Sequence, residues 1–114
     1  TSDGECKNLT SVTIPKKVTS IKPHVFSRCE SLTSVAIPDS VTSIGSWAFS
    51  YCKELTSVTI PKKVTSIEDY TFYNCQKLPR DIIIPYTVRW VGLNAFPFIH
   101  SEVWRIKRSS WILN

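Results

Sequence analysis

The chain has 114 residues, of which 42% are hydrophobic and 20% are charged, and its formal net charge is +5. This length makes one small domain or a piece of a larger one. The composition excludes a disordered tail, and no apolar run approaches the roughly 18 residues that a membrane-spanning helix needs, so membrane insertion is not expected.

The four cysteines are the most informative feature, because Cys6, Cys29, Cys52 and Cys75 are each separated by 23 residues. Equal spacing of one residue type is typical of a repeat protein. The copies at 6–28, 29–51 and 52–74 share the pattern C-x2-L-x2-V-x-I-P-x2-V-x2-I-x4-F-x2. A fourth, imperfect copy covers 75–96 and carries one inserted residue between Leu78 and Ile82. Residues 6–96 are therefore predicted to form four coils.

The spacing inside one copy predicts its local structure. Val12 and Ile14 alternate with an outward residue and predict a short strand, which Pro15 ends because proline lacks the N–H that a central ladder needs. Residues 18–21 predict a second extended or turning segment, and the stretch that follows is expected to be a helical turn that places Phe26 inside. One coil cannot bury its apolar face alone. Stacked coils, with the Cys, Leu, Val, Ile and Phe positions facing a common core, predict a solenoid.

This pattern resembles the 23-residue leucine-rich repeats of the BspA-like, or treponemal, type, and the resemblance covers Cys6 to about Phe96. It implies a leucine-rich repeat solenoid with short parallel strands on the concave face and turns or helical turns on the convex side. It also implies a secreted or cell-surface protein that adheres to host matrix proteins or to other cells. The family brings no catalytic residues and no cofactor.

The cysteine column has three interpretations. A line of equivalent side chains cannot surround a tetrahedral zinc ion, so a metal site is not expected. Neighbouring cysteines come near disulfide range. A small apolar thiol also packs well at an inward position, and a reduced core column is the favoured interpretation.

The basic charge does not indicate a nucleic-acid partner, because opposite charges alternate from coil to coil. The alternating columns are Lys7, Glu30 and Lys53, and Lys16, Asp39 and Lys62. Neither His24 nor His100 has a nucleophile at a relay spacing, and the chain has no glycine-rich phosphate loop. An enzymatic function is therefore not expected.

Two outward surfaces are candidates for binding. The positions two before and two after the core Phe vary between copies and carry large aromatic or basic residues, which are the usual anchors of protein interfaces and also suit sugar rings. They predict a contact ridge of His24, Arg28, Trp47, Tyr51 and Tyr70. The alternative for these side chains is that they shield the coil edge or pack along the stack. The rival surface is the small, polar face of the predicted sheet at Thr13, Ala36 and Thr59.

The two ends of the chain differ. Residues 1–5 form a lead-in without the expected core Phe, as if cut from a longer array. Residues 97–114 include Trp104 and Trp111 and are expected to cap the last coil, with homodimer formation through these two tryptophans as the alternative. The sequence thus favours a non-catalytic interaction or adhesion domain, with a structural spacer or stalk, or self-association through the aromatic end, as alternatives.

Overall fold

The computed structural model describes residues 6–97. Its strands are β1 (Ser11–Thr13), β2 (Ser20–Ile21), β3 (Ser34–Ala36), β4 (Ser43–Ile44), β5 (Ser57–Val58), β6 (Ser66–Ile67) and β7 (Trp90–Val91). All pairings are parallel, and strands from successive coils lie side by side in two sheets of order β1-β3-β5 and β2-β4-β6-β7. The leucine-rich repeat solenoid with short parallel strands is confirmed.

The second extended or turning segment of each coil forms a sheet of its own. Ile21 pairs with Ile44 and Ile44 with Ile67, in steps of 23 residues. The next partner of Ile67 is Val91, which lies one residue beyond the position that a step of 23 residues would give. The residue inserted before Ile82 therefore shifts the numbering of the second sheet without breaking it. The first sheet does not continue into the fourth coil within residues 6–97.

Equivalent residues of successive coils form the core columns. The phenylalanine rings stack at centroid distances of 5.3 Å for Phe26–Phe49 and Phe49–Phe72, and 5.0 Å for Phe72–Phe96. Phe49 is fully buried, whereas Phe26 is only partly buried and Leu9 is 40% exposed. Leu9 lies in the first described coil, and its exposure follows because no described coil packs against its outer side.

Threonine hydroxyls add hydrogen bonds between coils at the sheet edges. Thr33 Oγ1 donates to the Thr10 carbonyl at 3.0 Å, and Thr56 Oγ1 donates to the Thr33 carbonyl at 3.2 Å. Thr42 and Thr65 do the same in the second sheet. Each such bond ties one coil to the coil before it, although water competes for these exposed groups.

The cysteine column is not uniformly reduced, so the favoured interpretation is wrong for its first two members. Cys6 and Cys29 form a disulfide with a Cα–Cα distance of 4.8 Å, while Cys52 and Cys75 are buried free thiols. The physical reason is that the spacing between parallel strands falls inside the Cα–Cα range of a disulfide.

In the two columns of alternating charge, the residues of neighbouring coils do not form ion pairs with one another in residues 6–97. Within residues 6–97 the ion pair closer than 4 Å is Lys77 with Glu54, at 2.6 Å, and it lies outside the two alternating columns named above. Exposed charges gain little from pairing because water screens them and the long side chains lose rotational freedom. The charges of the two columns therefore remain solvated. In the part of the chain that is described, no helix is long and apolar enough to cross a membrane.

Candidate contact surface

The backbone between the second sheet and the next cysteine consists of β-turns, so the helical turn expected around Phe26 is wrong. The physical reason is that the residues with positive φ in these turns cannot belong to a right-handed helix. In the first coil, the Val25 N–H donates to the Lys22 carbonyl at 3.4 Å, and the Cys29 N–H donates to the Phe26 carbonyl at 3.2 Å. The third residue of each turn, His24 or Arg28, has a φ of 66° or 64°. A positive φ at this position alone is the pattern of a type II turn, and Pro23 suits the position before His24.

Every non-glycine residue with positive φ in the described chain occupies one of these third positions. They are His24 (66°), Arg28 (64°), Trp47 (62°), Tyr51 (60°), Tyr70 (62°), Asn74 (62°) and Asn94 (52°). The five residues predicted as a contact ridge are the five that are not asparagine. Left-handed backbone costs a bulky L-residue about 1–2 kcal/mol, whereas glycine and asparagine tolerate it. Local backbone preference therefore does not explain the aromatic and basic residues at these positions.

Backbone hydrogen bonds to the following coil hold these turns in place. The His24 N–H donates to the Ser46 carbonyl at 3.1 Å, and the Trp47 N–H donates to the Asp69 carbonyl at 3.2 Å. The Tyr70 N–H completes the series with a bond of 2.8 Å to the fourth coil. The side chains at these positions are therefore mounted on backbone that the neighbouring coil fixes.

The side chains that lie two positions before the core Phe of each coil form a first column, in which each ring stacks on the next along the solenoid. The His24 and Trp47 rings are 6.1 Å apart and 6° from parallel, and the Trp47 and Tyr70 rings are 4.3 Å apart and 8° from parallel. His24 is exposed, and the other two are half-buried. The structure thus brings these three predicted residues into one ladder, with part of each surface given to its neighbours.

The residues two positions after the core Phe of each coil form the second column of the surface. The Arg28 guanidinium carbon lies 4.3 Å above the centre of the Tyr51 ring, which is a cation–π contact. Tyr73 joins the two columns because its ring packs edge-on against Trp47, Tyr51 and Tyr70 at 5.8, 5.5 and 5.2 Å. We refer to His24, Arg28, Trp47, Tyr51, Tyr70 and Tyr73 as the aromatic ridge.

Sequence reasoning missed Tyr73, although a signal was present. Tyr73 directly follows the core Phe72, and the equivalent residues of the first two coils are Ser27 and Ser50. A change from serine to tyrosine in a column that is otherwise small indicates a local function or a local packing requirement. The prediction compared only the positions two residues away from the core Phe.

A shallow depression separates the two columns over the first two coils. It has a volume of about 290 Å³ and is lined by His24, Ser27, Arg28, Trp47, Ser50 and Tyr51. Ser27 Oγ and Ser50 Oγ lie 2.8 Å apart on its floor, and Ser50 Oγ donates to the Trp47 carbonyl at 3.1 Å. Tyr73 takes the serine position in the third coil, so the floor ends there.

The rival face, on the first sheet, carries no aromatic ring and no charged group at its three named positions. Thr13, Ala36 and Thr59 are all exposed, and Thr13 pairs directly with Ala36 in the first sheet. Near Thr59 an open depression of about 280 Å³ lies between β5 and the fourth coil, lined among others by Pro79 and Ile83. It lies beside the inserted residue, where the first sheet stops.

The fourth coil exposes several large apolar side chains. Ile83 is 61% exposed, Tyr86 71%, Trp90 49% and Leu93 46%. Trp90 lies in β7, whereas Trp104 and Trp111 lie outside the described residues. The predicted cap or dimer contact at 97–114 is likewise outside them, except for Pro97.

The chemistry available in residues 6–97 is limited. No group of three or more His, Cys, Asp or Glu side chains there could hold a metal ion. A hydrogen bond with Cys52, together with burial, raises the pKa of the Cys75 thiol well above its usual range, so that thiol stays protonated and unreactive. Its Sγ donates to the Phe49 carbonyl at 3.0 Å. These thiols therefore act in packing.

The comparisons with known proteins agree with this architecture. The family model of the BspA type leucine rich repeat region, which describes six copies of the repeat, matches residues 4–109. A leucine-rich repeat protein from Bacteroides ovatus is 33% identical, with a TM-score of 0.71 over 75% of this chain and 24% of that protein. The T. pallidum leucine rich repeat protein has a TM-score of 0.64 at 24% identity, over 76% of this chain and 53% of its own, and shares the fold.

A third similar structure is a leucine rich cell surface protein from Faecalibacterium prausnitzii, at 34% identity and a TM-score of 0.50 over 70% of this chain and 27% of that one. No curated protein matches. The chain spans only 24% of the Bacteroides ovatus protein, so it corresponds to part of that larger molecule. The 23-residue pattern, the two parallel sheets and the family match over 4–109 agree. The chain belongs to the BspA-type leucine-rich repeat family.

Proposed function

We propose that this chain is a non-catalytic interaction domain of a secreted or cell-surface protein and that its aromatic ridge binds a host matrix or cell-surface protein. The observation that carries the proposal is the backbone of the ridge. Five aromatic or basic side chains occupy left-handed positions that asparagine would occupy at lower cost, as it does at Asn74 and Asn94. Strained positions of this kind cluster at binding sites, where the surrounding structure offsets the cost.

The contacts within the ridge support the same proposal. Stacking and edge-on packing restrict the rotation of Trp47, Tyr70 and Tyr73, so little side-chain entropy remains to be lost when a partner binds. Tryptophan, tyrosine and arginine are the residues that most often dominate the binding energy of protein interfaces. The name of the Faecalibacterium prausnitzii structure, a cell surface protein, supports the proposed location. Because the same rings suit sugars, a glycan carried by the partner is also a candidate ligand.

The test uses the double variant Trp47→Asn with Tyr70→Asn. Asparagine is the residue of the fourth coil at this position and tolerates the left-handed backbone, so the fold is expected to survive. Binding to immobilised collagen, laminin and fibronectin, each presented separately, is expected to fall at least about tenfold for whichever of them the unchanged chain binds. The matched control is Ala36→Lys at the centre of the rival face. Loss of binding in the control and not in the double variant would refute the ridge.

Self-association is the second candidate, and the exposed apolar side chains of the fourth coil favour it. Tyr86 and Trp90 leave more surface exposed than the ridge residue Trp47 does. A second copy of the chain could cover these exposed apolar side chains and remove them from water. Light scattering at high concentration tests it. A dimer that Trp90→Glu converts into a monomer would support self-association, and a monomer at all concentrations would refute it.

A further inference from the structure

We propose that the depression between the two columns of the aromatic ridge binds the terminal residue of a glycan chain that carries a carboxylate, such as a hexuronate or a sialate. This inference rests on the proposed function, because it takes the ridge as the contact surface, and it names the chemistry of the ligand. It is carried by the shape of the depression, by its charge and by the hydrogen-bonding state of its floor.

The floor presents a free hydrogen-bond acceptor. Ser50 Oγ lies 3.1 Å from the Trp47 carbonyl oxygen, in position to donate to it. The Ser27 and Ser50 hydroxyls also share a 2.8 Å hydrogen bond, in which either oxygen can be the donor. In both arrangements Ser27 Oγ, which is only partly buried, keeps at least one lone pair. It can accept a hydrogen bond from a ligand hydroxyl, which a sugar ring supplies.

The wall presents a cation, the guanidinium of Arg28. Stacking of Arg28 on the Tyr51 ring orients the guanidinium, while the N–H groups in its plane remain able to bind a carboxylate with two parallel hydrogen bonds. Among residues 6–97 no carboxylate forms an ion pair with Arg28, and the lining of the depression contains no Asp or Glu. His24 stands on the opposite wall. The complementary ligand is therefore an anion that also has hydroxyl groups.

The length of the depression favours a single ring over an extended peptide. The serine floor spans only the first two coils, because Tyr73 fills the third position and contacts both columns. Two coils cover roughly one strand spacing of 4.8 Å, whereas an extended peptide advances about 3.3 Å per residue and would meet Tyr73 after one or two residues. A terminal sugar fits a site closed at one end.

Titration of the intact chain with methyl glycosides tests the proposal. The acidic probes are methyl glucuronide and methyl N-acetylneuraminide, and methyl glucoside is the neutral match of the former. Tryptophan fluorescence and saturation-transfer NMR report binding. At least one acidic glycoside is expected to bind. If methyl glucuronide binds, it is expected to bind about tenfold more tightly than methyl glucoside. Arg28→Gln should remove the preference for the acid, whereas the charge-matched Lys62→Gln should keep it.

Several outcomes would overturn this inference. One is binding by neither acidic glycoside, and another is unchanged acid preference in Arg28→Gln. Tighter binding of an acidic peptide than of either glycoside would also overturn it. The proposed function stands or falls separately, because the matrix-protein assay with Trp47→Asn and Tyr70→Asn does not depend on a sugar. A matrix protein that still binds after its glycans are removed, while the glycosides do not bind, would refute the inference alone.

Discussion

Truncation of the phenylalanine column should cost stability according to position. Phe49 is fully buried and has a ring on each side at 5.3 Å, so Phe49→Ala removes a complete core side chain and two ring contacts. Such a truncation costs about 3–5 kcal/mol. Phe26 is partly exposed and has one such neighbour, so Phe26→Ala should cost roughly half as much, about 2 kcal/mol.

Urea denaturation followed by tryptophan fluorescence measures both variants. A domain of this size is stabilised by only about 5–15 kcal/mol, so Phe49→Ala should shift the midpoint strongly while Phe26→Ala remains folded in water. The free energies are comparable only if the unfolding slope is the same in both variants, since solenoids can unfold coil by coil. Equal costs for the two variants would refute the reasoning, because the column would then be equally covered at both positions.

Three further changes test individual contacts. In the denatured, unreduced chain, thiol titration should find two free thiols, rising to four after reduction; four at the outset would contradict the Cys6–Cys29 bridge. The pKa of Cys75 is raised in the folded state, so the contribution of this thiol to the free energy of unfolding is complete below its ordinary pKa of 9.0. At higher pH the thiol ionises only in the unfolded chain, and this contribution to stability declines. Urea unfolding between pH 8 and pH 10 should show this loss, and Cys75→Ala should lessen it. Gly45→Ala should cost about 1–3 kcal/mol, because the added Cβ would lie 2.7 Å from the backbone nitrogen of Pro23, and thermal melting that finds no loss would contradict the close approach.

The regular part of the fold was predictable because the repeat supplies its own register. Once Val12, Val35 and Val58 are equivalent, stacked coils place them in adjacent strands, as the pairing of β1, β3 and β5 confirms. The insertion before Ile82 was also visible in the sequence. Its local consequence, the end of the first sheet after β5, depends on how the backbone accommodates one extra residue, and the pattern alone does not contain that information.

The candidate surface was only partly predictable. The ridge residues were found because they vary while the core repeats, but the left-handed conformation of Trp47 or Tyr51 opposes the intrinsic preference of those residues and arises from hydrogen bonds to the next coil. Tyr73 was missed because its role comes from contacts with two columns at once. The disulfide requires the Cα atoms of Cys6 and Cys29 to lie close together, and in the structure they are 4.8 Å apart. The spacing of 23 residues in the sequence places the two cysteines in neighbouring coils but does not show whether they form a bond or only pack against each other.

Hydroxyl-radical footprinting of a complex with a bound matrix protein is the most direct test of the aromatic ridge as the contact surface. Aromatic side chains are the reporters, and the chain contains its own controls, since Tyr86 and Trp90 are exposed on the fourth coil outside the ridge. Binding through the ridge predicts that Trp47, Tyr70 and Tyr73 lose reactivity while these two controls keep theirs. Protection of Tyr86 and Trp90 with an unchanged ridge would contradict the central claim.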